Sequence, residues 1–209
     1  MSGVVDGGPT GIPVTAIESV QAGISLAEGL QLGSGLKNKS GDPVDYEIAT
    51  SDYTRRDGSE LAEAIAGNKY VTFSITVDEG YTLDLTTITF GIRRNGSGAP
   101  DDYAILSSIS GFTDSDALAT LNTASTSAEA FSADTTSNSA FQTIAGGTTV
   151  EFRLYGWNAN VDSSNTHITG ASIDGTITAV PEPSTLALFA GIAALGVVAY
   201  RRRKRCYAR

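Results

Sequence analysis

The sequence predicts a mainly β protein, a sandwich of short strands followed by one short apolar helix close to the C-terminus. Three observations carry that expectation. Apolar and polar residues alternate strictly in several mid-chain runs, turn-forming Gly and Asn clusters separate those runs, and a fifteen-residue apolar stretch, Leu186–Tyr200, stands near the end.

The clearest strand is Tyr70–Val77 (YVTFSITV), with Val71, Phe73, Ile75 and Val77 on one face and Thr72, Ser74 and Thr76 on the other. That is the period of a half-buried strand. Leu83 and Leu85 continue the pattern. Its phase slips at Thr86 and Thr87 before Ile88, Phe90 and Ile92, which predicts a bulge or a break between strands. Tyr103–Ile109 is a further candidate. Thr149–Trp157 sets Val150, Phe152 and Leu154 against Glu151, Arg153, Tyr155 and Trp157, and Ala171, Ile173, Ile177 and Ala179 alternate along a last strand. Asp78-Glu79-Gly80, Asn95-Gly96-Ser97-Gly98 and Gly146-Gly147 supply the turns. Ile24, Leu26, Leu30 and Leu32, set among glycines, read as weaker strands. Helix is expected only at Ser59–Ala66 and Asp114–Leu121, about two turns each with a cap residue at the start. Within a body spanning residues 1–179, Ser110–Thr149 has 16 Ser or Thr among its 40 residues. It reads as a long decorated surface loop anchored by Phe112, Phe131 and Phe141.

Charge divides the chain sharply. Residues 1–180 hold 22 acidic and 8 basic side chains, whereas residues 181–209 hold one acid and six bases. An acidic body excludes nucleic acid, whose binding needs clustered Lys and Arg. The lone cysteine, Cys206, lies in the basic tail, so the body holds no internal disulfide. With one Cys and one His in the chain, a zinc-type centre is not expected either, and no cofactor is implied.

The end of the chain is ordered in three parts. Pro181 and Pro183 fix their own φ and push Val180 and Glu182 into extended geometry. Leu186–Tyr200 then gives a helix of roughly 22 Å, short for a bilayer core of about 30 Å. Arg201, Arg202, Arg203, Lys204 and Arg205 follow as a cytoplasmic stop, which places the acidic body outside. A buried core helix is the alternative, and it would leave five consecutive bases at the end of a core element. Residues 180–205, read as Pro-Glu-Pro, apolar helix and basic cluster, resemble the PEP-CTERM protein-sorting signal. That resemblance implies recognition of Pro181, Glu182 and Pro183 by an exosortase, transient anchorage in the cell membrane, removal of the tail, and delivery to the bacterial cell surface or exterior. More loosely, Leu83–Phe112, Val150–Trp157 and Ala171–Thr178 resemble the body of many such proteins. The fold so implied is a jelly-roll-like β-sandwich followed by a single short C-terminal transmembrane helix. The opening MSGVVDGGPTGIPVT has no basic start and no apolar stretch, so an export signal upstream of Met1 is expected.

Chemistry leaves few marks. His167 sits in a polar stretch with no second His or Cys nearby, and no Gly-x-Ser-x-Gly elbow occurs. Asp101-Asp102 and the Asp114/Asp116 pair read as turn and cap residues, not as a calcium loop. Tyr155 and Trp157 lie two apart on one strand face with Arg153 and Glu151 beside them. The rings either stack on sugar rings of an extracellular polysaccharide or are buried by Ser110–Thr149 folding over that face as a second small core. Three classes of function follow in rank: a non-enzymatic surface or matrix protein, a carbohydrate-binding module, and a secreted hydrolase with unmarked carboxylates.

Overall fold

Alternation places Val71, Phe73, Ile75 and Val77 of one strand and Val150, Phe152 and Leu154 of its neighbour in one interior, each at most 2% exposed. The computed structural model describes residues 2–5, 21–38, 48–51, 60–161 and 164–180. Among them are strands β1 (Ser2–Val5), β2 (Ile24–Leu32), β3 (Lys37–Asn38), β4 (Ile48–Ser51), β5 (Tyr70–Val77) and β6 (Tyr81–Asn95). Then follow β7 (Asp102–Ser107), β8 (Ala119–Asn122), β9 (Glu129–Asp134), β10 (Ile144–Ala145), β11 (Thr149–Trp157) and β12 (Asn165–Ala179). One short helix, α1 (Leu61–Ala66), precedes β5.

Two sheets result, and the body is a β-sandwich with little helix. The first runs β10-β6-β12-β4-β3, with β1 also pairing with β12 and β9 with β6. The second runs β2-β5-β11-β7-β8. Their inner faces meet through aromatic and branched side chains, the arrangement expected of stacked sheets. Phe73 of β5 stands edge-on to Phe90 of β6 at 5.5 Å between ring centroids, and leans on Phe152 of β11 at 5.2 Å. A buried hydrogen bond of 2.8 Å also crosses the sandwich, between the Tyr103 hydroxyl of β7 and Thr166 Oγ1 of β12.

The phase slip at Thr86 and Thr87 is a feature inside one continuous strand, not a break. Leu83 and Leu85 before it and Ile88, Phe90 and Ile92 after it are all fully buried. The cause is a change of partner. Ile144 pairs with Leu83 on one side of the slip, and Asp134 pairs with Thr87 on the other. Between them the Leu85 carbonyl accepts from Thr135 Oγ1 at 2.8 Å and Gln142 Nε2 at 3.0 Å, while Thr135 N donates to the Thr86 carbonyl at 2.9 Å. The carbonyls of Leu85 and Thr86 thus keep partners across the slip, which lowers its cost.

Two expectations are corrected. Asp114–Leu121 is not a helix. Only Asp114–Asp116 forms a single 3-10 turn, capped reciprocally by Thr113 and Asp116. Ala117 then leaves helical geometry (φ −59°, ψ 122°) and Ala119–Asn122 pairs with β7 as an edge strand. Ladder bonds for four residues outweigh the weak drive of a two-turn helix. Likewise Ser110–Thr149 is not a long loop. It contributes β8 to one sheet and β9 and β10 to the other, and its anchors Phe131 and Phe141 are buried in the core. The expected helix at Ser59–Ala66 does form, over Leu61–Ala66.

No helix among the described residues is long and apolar enough to cross a membrane. The apolar stretch Leu186–Tyr200, the Pro-Glu-Pro motif and the basic cluster lie outside the described residues. The body ends as a unit at Thr178, and the residues from Ala179 onward form a second one.

Because Phe73 touches the facing sheet and its own neighbour at once, Phe73→Ala should cost about 3–5 kcal/mol. Thr120→Ala, at an exposed edge-strand position, should change stability by less than about 0.5 kcal/mol. Urea unfolding of the two variants checks the contrast, and similar losses from both would remove the core assignment.

Candidate functional site

The outer face of the five-stranded sheet is the one with chemistry on it. Residues of β5 and β11 that point away from the core line up there by register: Tyr70 opposite Tyr155, Thr72 opposite Arg153, Ser74 opposite Glu151 and Thr76 opposite Thr149. The face has two different ends.

At one end it is closed by a second small core. Leu61 and Ala64 of α1 pack with Ala104 and Leu106 of β7 and with Tyr155, and Ile65, Tyr70, Phe112, Ala117 and Trp157 lie around them. Tyr155 is fully buried and Trp157 half-buried. The ring pair is therefore not an open stacking platform for sugar. The cover is mainly α1, joined by Phe112 and Ala117 from the start of the Ser/Thr-rich segment, so most of that segment takes no part. Burying the Tyr155 ring under this cover removes its apolar surface from water, which an open face would leave wet.

Arg153 borders this closed end. Its guanidinium lies 3.8 Å from the centroid of Phe112 and 4.2 Å from that of Tyr70, so a ring covers each side. In the plane of the group, Nε and Nη2 donate to Glu151 Oε1 and Oε2 at 2.7 and 3.2 Å, and Nη1 donates to the Tyr155 hydroxyl at 3.3 Å. Only a planar, forked cation fits such a slot. The buried setting works against the Arg153 charge, but Glu151 and Tyr155 outweigh it and hold the guanidinium more firmly protonated than usual. Burial pushes the Tyr155 hydroxyl above its ordinary value, with Arg153 opposing. Thr72 Oγ1 lies 2.8 Å from the Phe152 carbonyl and 3.1 Å from Glu151 Oε1, and its single proton is shared between the two acceptors.

The other end is open. A cleft of about 380 Å³ is lined by Ala27, Glu28, Ser74, Ser108, Thr149 and Glu151. Backbone bonds brace it: Ser108 N donates to the Glu151 carbonyl at 2.9 Å, and Glu151 N donates to Ser108 Oγ at 3.0 Å. Thr149 and Thr76 hydroxyls share a bond of 2.8 Å at its rim. Sequence reading missed this cleft, because its six residues come from four separate segments. The alternation of Thr149–Trp157 did put Glu151 on the right face, but nothing local in the sequence pairs it with Glu28.

Other candidates resolve as structure. His167 is 4% exposed, with Arg93 Nη2 at 3.3 Å from Nδ1. Asp101 forms a salt bridge with the buried Arg94. Asp102 accepts from Asn122 and Asn158. Asp116 is held below the ordinary carboxylate range by the Thr113 hydroxyl and N–H. Among the described residues no cluster of acidic, His or Cys side chains is arranged to hold a metal ion.

At the C-terminal end, residues 179–204 match the model of the PEP-CTERM protein-sorting motif. The chain is a β-sandwich that carries a PEP-CTERM motif. The match opens at Ala179, the last residue of β12, and includes Pro181, Glu182, Pro183 and the apolar stretch Leu186–Tyr200. No curated protein matches the chain. Solved structures to which the chain is similar include a family two carbohydrate esterase from Clostridium thermocellum in complex with cellohexaose. It is 11% identical with a TM-score of 0.38, and the match covers 74% of this chain and 34% of that one. This chain thus spans about a third of the esterase's length. The K1 cleaved adhesin domain of Lys-gingipain from Porphyromonas gingivalis W83 is 12% identical with a TM-score of 0.38, covering 84% of this chain and 98% of that one. The CBM36-1 domain of a multidomain xylanase from the hindgut metagenome of Trinervitermes trinervoides is 10% identical with a TM-score of 0.38, covering 73% and 96%.

Tyr155 yields a pH test. Its raised value means the folded state retains the phenolic proton, so its contribution is whole below the ordinary value of 10.0 and fades as pH rises through the higher folded value. Tyr155→Phe should therefore lose less stability than the parent between about pH 9 and pH 11. Denaturant midpoints at the two pH values check this, and an equal loss in both proteins would contradict the buried hydroxyl.

Proposed function

We propose that this chain is an exported, non-enzymatic protein of the bacterial cell surface or extracellular matrix, sorted by its C-terminal signal. In this reading an exosortase recognises Pro181, Glu182 and Pro183. Leu186–Tyr200 spans the membrane transiently, with Arg201, Arg202, Arg203, Lys204 and Arg205 on the cytoplasmic side, and removal of the tail frees the sandwich outside. The observation that carries the reading is the PEP-CTERM motif at residues 179–204, which starts where the last strand ends. The charge division supports the same orientation, with six bases and one acid beyond residue 180. A body held together by its core, with Cys206 as the only cysteine, folds without need of any oxidant.

A second reading, that the body binds polysaccharide once outside, is favoured by the open polar cleft on the five-stranded sheet. It moves the binding site from Tyr155 and Trp157 to that cleft and leaves Arg153 as its fixed border.

The sorting reading is tested by reporter fusions to a chain supplied with an export signal, in a host that has an exosortase. A reporter after Thr178 should be active outside and one after Arg209 inside. Changing both Pro181 and Pro183 to Ala should leave the unprocessed form in the membrane fraction, since helix can then run into the recognition peptide. The reverse pattern of reporters, or unchanged processing of the double variant, would refute it.

A further inference from the structure

The cleft on the five-stranded sheet is built to accept hydrogen bonds from hydroxyl groups, and we propose that it binds a neutral oligosaccharide. This deepens the polysaccharide reading above and rests on it. The strand order β2-β5-β11-β7 sets Ser74, only 6% exposed, between Glu28 on one flank and Glu151 on the other. Ser108 and Thr149 extend the polar lining. Two carboxylates offer acceptors, and three hydroxyls both give and accept. A polyol matches that set, because each sugar hydroxyl supplies the donor a carboxylate needs and an acceptor for a Ser or Thr proton.

Glu151 makes the cleft specific in place as well as in type. Its Oε1 accepts from Arg153 Nε and its Oε2 from Arg153 Nη2. Arg153 is itself clamped between Phe112 and Tyr70. The carboxylate is thus held before any ligand arrives, with lone pairs of Oε2 left over, and a charge-assisted bond to it costs no side-chain ordering. The charge pattern decides between sugar classes. No cation lines the cleft and the surrounding body holds 22 acids against 8 bases over residues 1–180, so uronate, sulfate or phosphate polymers are repelled. Without an aromatic ring in the lining, binding rests on hydrogen bonds and should be weak, on the order of a millimolar. The volume of about 380 Å³ falls in the range of small-ligand clefts.

The test is calorimetric titration of the full-length chain in mild detergent with gluco-, xylo-, manno- and galacto-hexasaccharides, and with a hexauronate as the charged control. At least one neutral hexasaccharide should bind and the hexauronate should not. Ala27→Trp, which fills the cleft from an exposed β2 position, should weaken binding by about tenfold or more. Glu28→Gln should weaken it by about threefold while leaving the melting temperature unmoved. If Ala27→Trp lowers the melting temperature, Glu28→Gln decides alone. Binding of no neutral sugar, equal or better binding of the hexauronate, or wild-type binding by the deciding variant overturns the proposal. Failure here leaves the reporter result standing, and sugar binding by a chain whose body stays inside would refute export but not the cleft.

Discussion

Everything on the surface of this protein depends on which face of β5 and β11 is turned inward, and the Phe73 contact decides that. Its ring meets Phe90 across the sandwich and Phe152 beside it. A slip of one residue in β5 would send Phe73 outward and Thr72 inward, exchanging every side chain between core and surface. Strands β6 and β12 are bound by the same choice, since Ile88, Phe90, Ile168 and Ala171 close the opposite side of the core. With no disulfide available to the body, apolar packing is what pins this register.

That register in turn writes the outer face. Thr72, Ser74, Glu151 and Arg153 are outward because Val71, Phe73, Phe152 and Leu154 are inward. Arg153 then divides the face. Toward Tyr155 it caps an apolar patch sealed by α1, and toward Glu151 it holds a carboxylate at the edge of open space. An unpaired arginine under two rings would be costly, and an unpaired glutamate beside a cleft would be mobile. Their mutual pairing satisfies both at once, although a side chain one-fifth exposed such as Arg153 gains less than a fully buried pair would.

Much of the sandwich was legible in the sequence because strict alternation survives wherever the inward residues are large. Tyr70–Val77, Thr149–Trp157 and the two halves of β6 all meet that condition, and even the slip at Thr86-Thr87 was marked by its change of phase. The pattern fades where inward positions are small or half-buried. In β9 the inward pair is Phe131 and Ala133, and in β8 it is Ala119 and Leu121, both half-buried. Among so many Ser and Thr those pairs read as isolated anchors in a loop. The cleft was illegible for a different reason: Glu28 and Glu151 belong to strands that flank a third one, and only the sheet order joins them. The burial of Tyr155 was foreseen as one of two outcomes, but the covering element was not. A six-residue helix carries too little periodicity to reveal which distant strand it caps.

The C-terminal signal differs from all of this in being local. Its parts are consecutive, so the residues themselves announce it, and the match at residues 179–204 agrees with the reading made from proline geometry, apolar length and the basic cluster. The direct test is the intact mass of the protein recovered from the medium or cell surface of an exosortase-bearing host. A mass that retains β12 through Thr178 and lacks residues 186–209 is the result expected. Recovery of the surface form with residues 186–209 still attached would contradict removal of the tail.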